Sequence, residues 1–289
     1  MATANYVRQM MKPLSPVDTG VVPVLSEIDG IKAVVFDIYG TLMISAAGDI
    51  SLSDQSTSMA GMEAVRAIEA ATFGSIESTR LLDLYQETIS RHQEERRGCG
   101  IAHPEVEIRE VWSEMVGVLG VSEFGNERIE RVALVYECAV NPVWLMPGVT
   151  DALAAIKSAG LKMGIISNAQ FYTVPVFESL LDLSLLDSGF DSELMVFSYQ
   201  CGEGKPSLRP YENSLDQTRR KGIAPSEVFY LGNDLFKDVI PASAVGFRTG
   251  LFAGDQRSLR TGDLDIETAS RKADVVLSEL SQLPGVLGI

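Results

Sequence analysis

The chain has 289 residues, enough for one large domain or two of ordinary size, and 46% hydrophobic with 22% charged residues is the balance of a globular protein. Its 24 Lys+Arg stand against 39 Asp+Glu, a net charge of −15 that argues against nucleic acid or an anionic membrane as partner and requires local cations or a metal to hold any anionic substrate. Three scattered cysteines, Cys99, Cys138 and Cys201, fit no metal-ligand spacing and read as reduced thiols of a cytoplasmic protein, and no apolar run approaches a membrane span.

Residues 1–30 carry three prolines and two glycines and no apolar run of the signal-peptide kind, so they read as an arm over the domain or over a partner subunit. The next stretch, Ala33-Val-Val-Phe36, is apolar and largely β-branched, and it stops abruptly at Asp37, followed by a glycine turn and Thr41. That pattern predicts a buried parallel strand delivering a carboxylate to the edge of a sheet, where open α/β sheets bind ligands. Residues 44–58 are polar and Gly/Ser-rich and read as a loop leading out of the domain. Helical spacing of apolar residues then predicts helices over 59–73, 76–97, 106–119 and 126–140, with breaks at Gly74, at Gly98 and Gly100 before Pro104, and across 120–125. A rigid, Pro-containing return at 141–148 closes this insert.

From 149 onward helix and strand alternate, the sign of parallel βαβ units. Strands are expected at 161–167, 195–198, 228–231, 247–251 and 274–277, and helices at 149–158, 171–183, 208–221 and 236–245. The fold class is therefore α/β, a doubly wound parallel sheet of Rossmann-like type over 31–45 and 145–289, with a helical cap over 46–144.

Chemistry-bearing residues follow the strands. Asp37 follows the first, Ser167-Asn168 the second, Lys205-Pro206 comes after the third, and Gly232-Asn233-Asp234 with Asp238 follows the fourth. A parallel sheet brings such ends to one rim. Asp37 is suited to be a nucleophile that forms an ester opened by water, Ser167 and Thr41 to bond the oxygens of the transferring group, and Lys205 to neutralise developing charge. Asp234, Asp238, Asp37 and the backbone carbonyl of Tyr39 offer hard oxygen ligands of the kind Mg²⁺ prefers. Three converging carboxylates without a cation would repel one another, a second reason to expect Mg²⁺.

These residues resemble the haloacid dehalogenase superfamily. Asp37-Ile-Tyr-Gly-Thr41 is similar to its first motif, Ser167-Asn168 to the second, Lys205-Pro206 to the third, and Gly232 to Asp238 to the fourth. The resemblance implies a Rossmann-like core, a cap inserted between the first two motifs, and an aspartyl-enzyme hydrolase. Phosphatases of the superfamily carry an acid/base Asp where this chain has Tyr39. Tyrosine there, and Tyr211 six residues after Lys205, resemble the 2-haloacid dehalogenase branch, with Tyr211 beside the substrate. The pair Asp234 and Asp238 favours a Mg²⁺-dependent phosphatase of a small, anionic phosphorylated metabolite. A metal-independent 2-haloacid dehalogenase is the alternative, and a ligand-binding protein of weak activity a further one. In the cap, Arg91, His92, Arg96, Arg97 and Arg109 form a cationic cluster that reads first as a solvated helix end complementing its dipole and second as a reader of the substrate, and Phe171-Tyr172 are candidates either to line the pocket or to pack in the core. The arm and the apolar cap helices make a homodimer the expected assembly.

Overall fold

The computed structural model describes residues 2–47, 55–121 and 124–289, with side chains from Tyr6 onward. The loop expected at 44–58 and the break at 120–125 lie partly outside the described residues.

β1 (Ala33–Phe36) forms as its apolar run requires, with all four residues buried. Val34 and Phe36 enter one apolar cluster while Ala33 and Val35 enter another, the two-residue period of a strand covered on both faces. Two short strands, β2 (Met43–Ser45) and β3 (Val143–Leu145), pair antiparallel, Met43 against Leu145 and Ser45 against Val143. Between them the chain is helical: α2 (Gln55–Ile68), α3 (Ala70–Phe73), α4 (Ser78–Gly98), α5 (Ile108–Val118) and α6 (Asn126–Val140). The helical spacing of residues 59–140 is thus realised as expected, whereas the β2–β3 ribbon was not anticipated. Three-residue strands carry too little periodicity to be read from sequence.

Past β3 the chain winds α7 (Val149–Ser158), β4 (Lys162–Ser167), α8 (Thr173–Leu181), α9 (Leu185–Ser188), β5 (Phe190–Phe197), α10 (Ser198–Cys201), α11 (Arg209–Arg220), β6 (Val228–Gly232), α12 (Ile240–Ala244), β7 (Arg248–Phe252) and β8 (Val275–Leu277). The sheet order is β5-β4-β1-β6-β7-β8, every adjacent pair parallel. The chain moves outward from β1 to β4 and β5, then returns to the other side of β1 for β6, β7 and β8. The order reverses at β1, and the crevice beyond the carboxyl ends of β4, β1 and β6 is where such a sheet takes ligand. The helix expected over 236–245 begins instead as a π-helical turn, Leu235–Val239, and becomes α-helical only at Ile240.

The N-terminal segment lies on the chain's own core. α1 (Ala2–Met10) buries Val7 at its side and is followed by the buried Met11, and Arg8 Nε donates to the Ser179 carbonyl of α8 at 3.0 Å. Farther along, Val24 bridges β8 at Val276, and the Val17 N–H and the Thr19 hydroxyl bond Asp255 and the Ala253 carbonyl.

Candidate active site

Asp37 stands one residue beyond β1, its N–H donating to the Leu231 carbonyl of β6 at 3.0 Å, so the ladder itself aims the carboxylate at the crevice. The turn after it depends on Gly40, at φ +86°, where an added Cβ would lie 2.6 Å from Ser258 Cβ and 2.7 Å from Asn233 Nδ2. Thr41 follows, fully buried, and its hydroxyl donates to Asn233 Oδ1 at 3.1 Å. It ties the Asp37 loop to the loop after β6.

Lys205 is the centre of the site's electrostatics. Its Nζ lies 2.8 Å from Asp37 Oδ1 and 2.6 Å from Asp238 Oδ1, with its side chain only 3% exposed. The backbone of Lys205 is clamped by Asn168, whose Oδ1 accepts from Lys205 N at 2.7 Å and whose Nδ2 donates to Lys205 O at 3.1 Å. Asp238 Oδ1 also accepts from the Tyr230 hydroxyl at 2.8 Å, and Oδ2 accepts from Asp234 N at 2.9 Å. Gly232 is needed beside it, because a Cβ there would come within 2.4 Å of the Asp238 carboxyl carbon. Burial pushes the Asp37 carboxyl up to about 6; the Lys205 ammonium opposes that rise and Asp238 adds to it. The same two carboxylates outweigh burial at Lys205 and raise its pKa, so the ammonium stays charged.

The expected carboxylate cage for Mg²⁺ does not assemble. Both oxygens of Asp238 are engaged, and Asp234 turns Oδ1 back to accept from Phe236 N at 2.8 Å and Lys237 N at 2.9 Å, capping the π-helical turn. Among the described residues no three His, Cys, Asp or Glu side chains converge as a metal site. The repulsion that seemed to call for a metal is met by the Lys205 ammonium between Asp37 and Asp238. The donor set as arranged therefore does not fit Mg²⁺.

A cavity of about 520 Å³ opens over this group, lined on one side by Asp37, Tyr39, Asn168, Lys205 and Asp234 and on the other by the helical insertion. Tyr39 lines it with a phenol that burial, helped by Glu137, holds well above the ordinary tyrosine pKa; its hydroxyl lies 3.0 Å from Thr173 Oγ1. It is a neutral hydrogen-bonding group and no base. Ser167, at the end of β4, is buried and its hydroxyl has no well-formed hydrogen bond, although it lies close enough to Asp37 to favour the anion. Such an orphan polar atom beside a buried carboxylate suits an incoming oxygen. Tyr211 is not in the cavity wall. It is fully buried beneath it, donating to the Lys237 carbonyl and stacked edge-on against Tyr230 at 5.4 Å, where it supports the loop that carries Asp238.

The cationic cluster of the insertion also lies elsewhere. Arg91 pairs with Glu95 and Glu114, His92 Nε2 lies 3.0 Å from Glu114, Arg96 is 3.9 Å from Glu110, and Arg109 pairs with Glu107 and Glu130 and stacks over Phe171. None of them lines the cavity, and neither does Phe171; Tyr172 does. Such exposed partners satisfy arginine locally, which sequence adjacency cannot foretell.

Several lining residues are not among those expected, and three of them bear on the chemistry below. Ser258 is 1% exposed with an unpartnered hydroxyl. Arg260 is held at the rim by backbone bonds, its N–H to Asn233 O at 3.0 Å and its carbonyl accepting from Leu235 N at 2.8 Å. Its guanidinium donates to the Leu259 carbonyl and forms no ion pair among the described residues. Glu137 in α6 is the third. Ser258 and Arg260 sit in an irregular segment after β7, and Glu137 reads as one more charge in an amphipathic helix, so none carried a signal.

A family model for haloacid dehalogenase-like hydrolases matches residues 31–246 of the chain. The chain is 28% identical to glyceraldehyde 3-phosphate phosphatase of Methanothermobacter thermautotrophicus over 179 residues, 59% of this chain and 72% of that protein. It is 25% identical to N-acetylmuramic acid 6-phosphate phosphatase of Pseudomonas aeruginosa over 278 residues, 89% of this chain and 95% of the relative. Among solved structures, 2-haloacid dehalogenase from Pseudomonas syringae pv. Tomato DC3000 matches with a TM-score of 0.58 at 21% identity, over 89% of this chain and 98% of that one. At that identity the likeness speaks for the fold alone.

Proposed function

The chain belongs to the haloacid dehalogenase-like hydrolases, and on that premise we propose that it is a phosphatase of small phosphorylated metabolites that works through an ester on Asp37. The observation that carries the reading is the Lys205 ammonium held between two buried carboxylates at the floor of a cavity of metabolite size. In the proposed reaction an Asp37 oxygen attacks phosphorus, the P–O bond to the alcohol breaks, and that oxygen leaves with the electron pair and takes a proton. Water then attacks the phosphorus of the acyl phosphate, the P–O bond to Asp37 breaks, and inorganic phosphate leaves with the water's oxygen as the carboxylate is restored. Lys205, the orphan hydroxyls of Ser167 and Ser258, and Arg260 supply donors for the phosphoryl oxygens. Tyr39, kept protonated, is the cavity's neutral donor toward the departing oxygen. Asn168 positions Lys205. Residues 46–144 act as the cap over a core of 31–45 and 145–289.

The names of the two relatives support phosphoryl rather than halide chemistry, and so does the cavity wall. A 2-haloacid carries a carboxylate beside its reacting carbon. The residues by which the insertion lines the cavity include no Lys, Arg or His among those described, but do include Glu105 and Glu137. Glu105 is itself held by Ser198 Oγ at 2.8 Å and by Gln170 Nε2 at 3.2 Å.

Mg²⁺, expected from the acidic pair of the fourth motif, is the variable to measure; it would shield phosphoryl charge if it bound, and no step above is routed through it. Phosphate release from a panel of phosphomonoesters is assayed with Mg²⁺ and with EDTA. Release under either condition supports the phosphatase, and dependence on Mg²⁺ would mean that Asp234 and Asp238 reorient around the ion. No release, with chloride freed from 2-chloropropionate, would replace it by the dehalogenase. Among the described residues no helix is long and apolar enough to cross a membrane.

A further inference from the structure

Glu137 is a buried carboxylate that the proposed chemistry does not use. It lies in the last turn of α6, 5% exposed, and lines the same cavity as Asp37. Its Oε1 accepts from Asn141 Nδ2 at 3.2 Å and its Oε2 from the Tyr172 hydroxyl at 3.0 Å. Both donors are neutral, and no Lys or Arg pairs with it among the described residues. An ionised carboxylate accepts about four hydrogen bonds, so two neutral donors leave it under-solvated on the side that faces the void.

The surroundings say what would complete it. Tyr85, Tyr136 and Tyr172 line the cavity beside it, with the Tyr85 and Tyr136 rings 4.8 Å apart. Aromatic faces with a hydrogen-bond acceptor among them suit a carbon skeleton bearing hydroxyl or amino groups. A carboxylate on the ligand would meet like charge. Burial also pushes the Glu137 carboxyl up to about 7, with Asn141 and Tyr172 opposing, so the position is an uncomfortable one for a residue whose only task is to hold a helix end.

We propose that Glu137 is the specificity-determining acceptor of the cavity, binding hydroxyl or amino groups on the alcohol portion of the phosphomonoester and disfavouring substrates that carry a carboxylate there. This rests on the phosphatase reading for the phosphoryl end alone. A hydrogen bond to a charged acceptor is worth tenfold or more in affinity, and the same charge repels a carboxylate.

The probes are glycerol 3-phosphate and phosphoglycolate, esters of similar size that differ in hydroxyls against a carboxylate. At pH 8, above the Glu137 value of about 7 and so with its carboxylate ionised, wild-type protein is expected to favour glycerol 3-phosphate by at least about tenfold in kcat/KM. Glu137→Gln should cut that ratio by about fivefold or more, mainly through a higher KM for glycerol 3-phosphate. Wild-type preference for phosphoglycolate overturns the proposal, and that measurement needs no variant to fold. A Glu137→Gln protein whose KM rises equally for both esters overturns it too, since that is what a merely structural role gives. Calorimetry on Asp37→Asn, with and without Glu137→Gln, reads the same selectivity as a ratio of Kd values in the absence of turnover. If neither ester is hydrolysed but the Kd ratio behaves as stated, the phosphatase reading fails and the role of Glu137 stands; if glycerol 3-phosphate does not bind at millimolar concentration, the role of Glu137 falls.

Discussion

Asp37 and Glu137, two of the buried carboxylates that line the cavity, are compensated in opposite ways. Asp37, on the sheet, has an ammonium 2.8 Å away and still sits at about 6, because burial outweighs Lys205 and Asp238 adds to the rise. Glu137, on the insertion, has a phenol and an amide and sits at about 7. A full charge partner keeps a nucleophile mostly ionised at neutrality even where water is scarce, whereas neutral donors leave a carboxylate poised to gain from any further donor that arrives. On the proposed reading, the sheet side reacts and the insertion side selects.

The largest expected effect is on the sheet side. Asp37→Asn should lower kcat by on the order of 10³-fold or more while the far-UV circular dichroism is unchanged, as expected for loss of a covalent nucleophile; turnover near wild type would end the ester mechanism. Next comes Lys205→Met, which leaves Asp37 and Asp238 buried without their cation. A loss on the order of 3–5 kcal/mol in urea denaturation is expected at neutral pH, narrowing as pH falls and the carboxyls take up protons; a pH-independent loss would mean that packing, not charge, was removed.

On the insertion side the sign reverses. The folded-state pKa of Glu137 is about 7 against 4.5 for the solvent-exposed reference, so the native state holds the extra proton between those pH values. Stability therefore declines as pH rises through that window, and the penalty is complete above about 7. Glu137→Gln should then stabilise the protein by roughly 1–3 kcal/mol at pH 8 and hardly at all near pH 5, read by denaturation at the two pH values. A destabilised variant at pH 8 would place the hydrogen bonds to Tyr172 and Asn141 above the desolvation of the charge. Arg260→Ala should raise KM for a phosphomonoester by roughly tenfold with kcat little changed, the loss of one charge-assisted contact to the phosphoryl group. The smallest effect is expected at Arg91, whose partners Glu95 and Glu114 are at the surface: Arg91→Ala should alter kcat/KM by less than about twofold.

Much of the sheet side was legible before any coordinates. The apolar β-branched run before Asp37, the strand ending at Ser167, the strand expected over 228–231, which runs one residue further to Gly232, and the helical spacing between 59 and 140 each report a local period that the structure realises. Asp37, Lys205, Ser167 and Asn168 were found because strand order and parallel pairing bring successive strand ends to one rim. The expectations that changed concern side chains whose partners are far away in sequence. Asp234 and Asp238 looked like metal ligands until one was seen capping a turn and the other shared by Lys205 and Tyr230. Tyr211 looked like a pocket residue and lies beneath the loop it supports. Arg91 and Arg96 of α4, candidates to read the substrate, are paired along their own helix and its neighbours.

The sequence by itself determined the α/β sheet, the helical insertion and the chemistry delivered to the sheet's rim, because backbone periodicity and strand-end position are properties of short stretches of chain. Only the tertiary structure decided which charges neutralise one another, that Ser258 and Arg260 reach the rim, and that Glu137 faces the cavity. Those outcomes depend on which distant groups share a buried, low-dielectric volume, where a difference of a few ångströms changes an interaction from negligible to dominant.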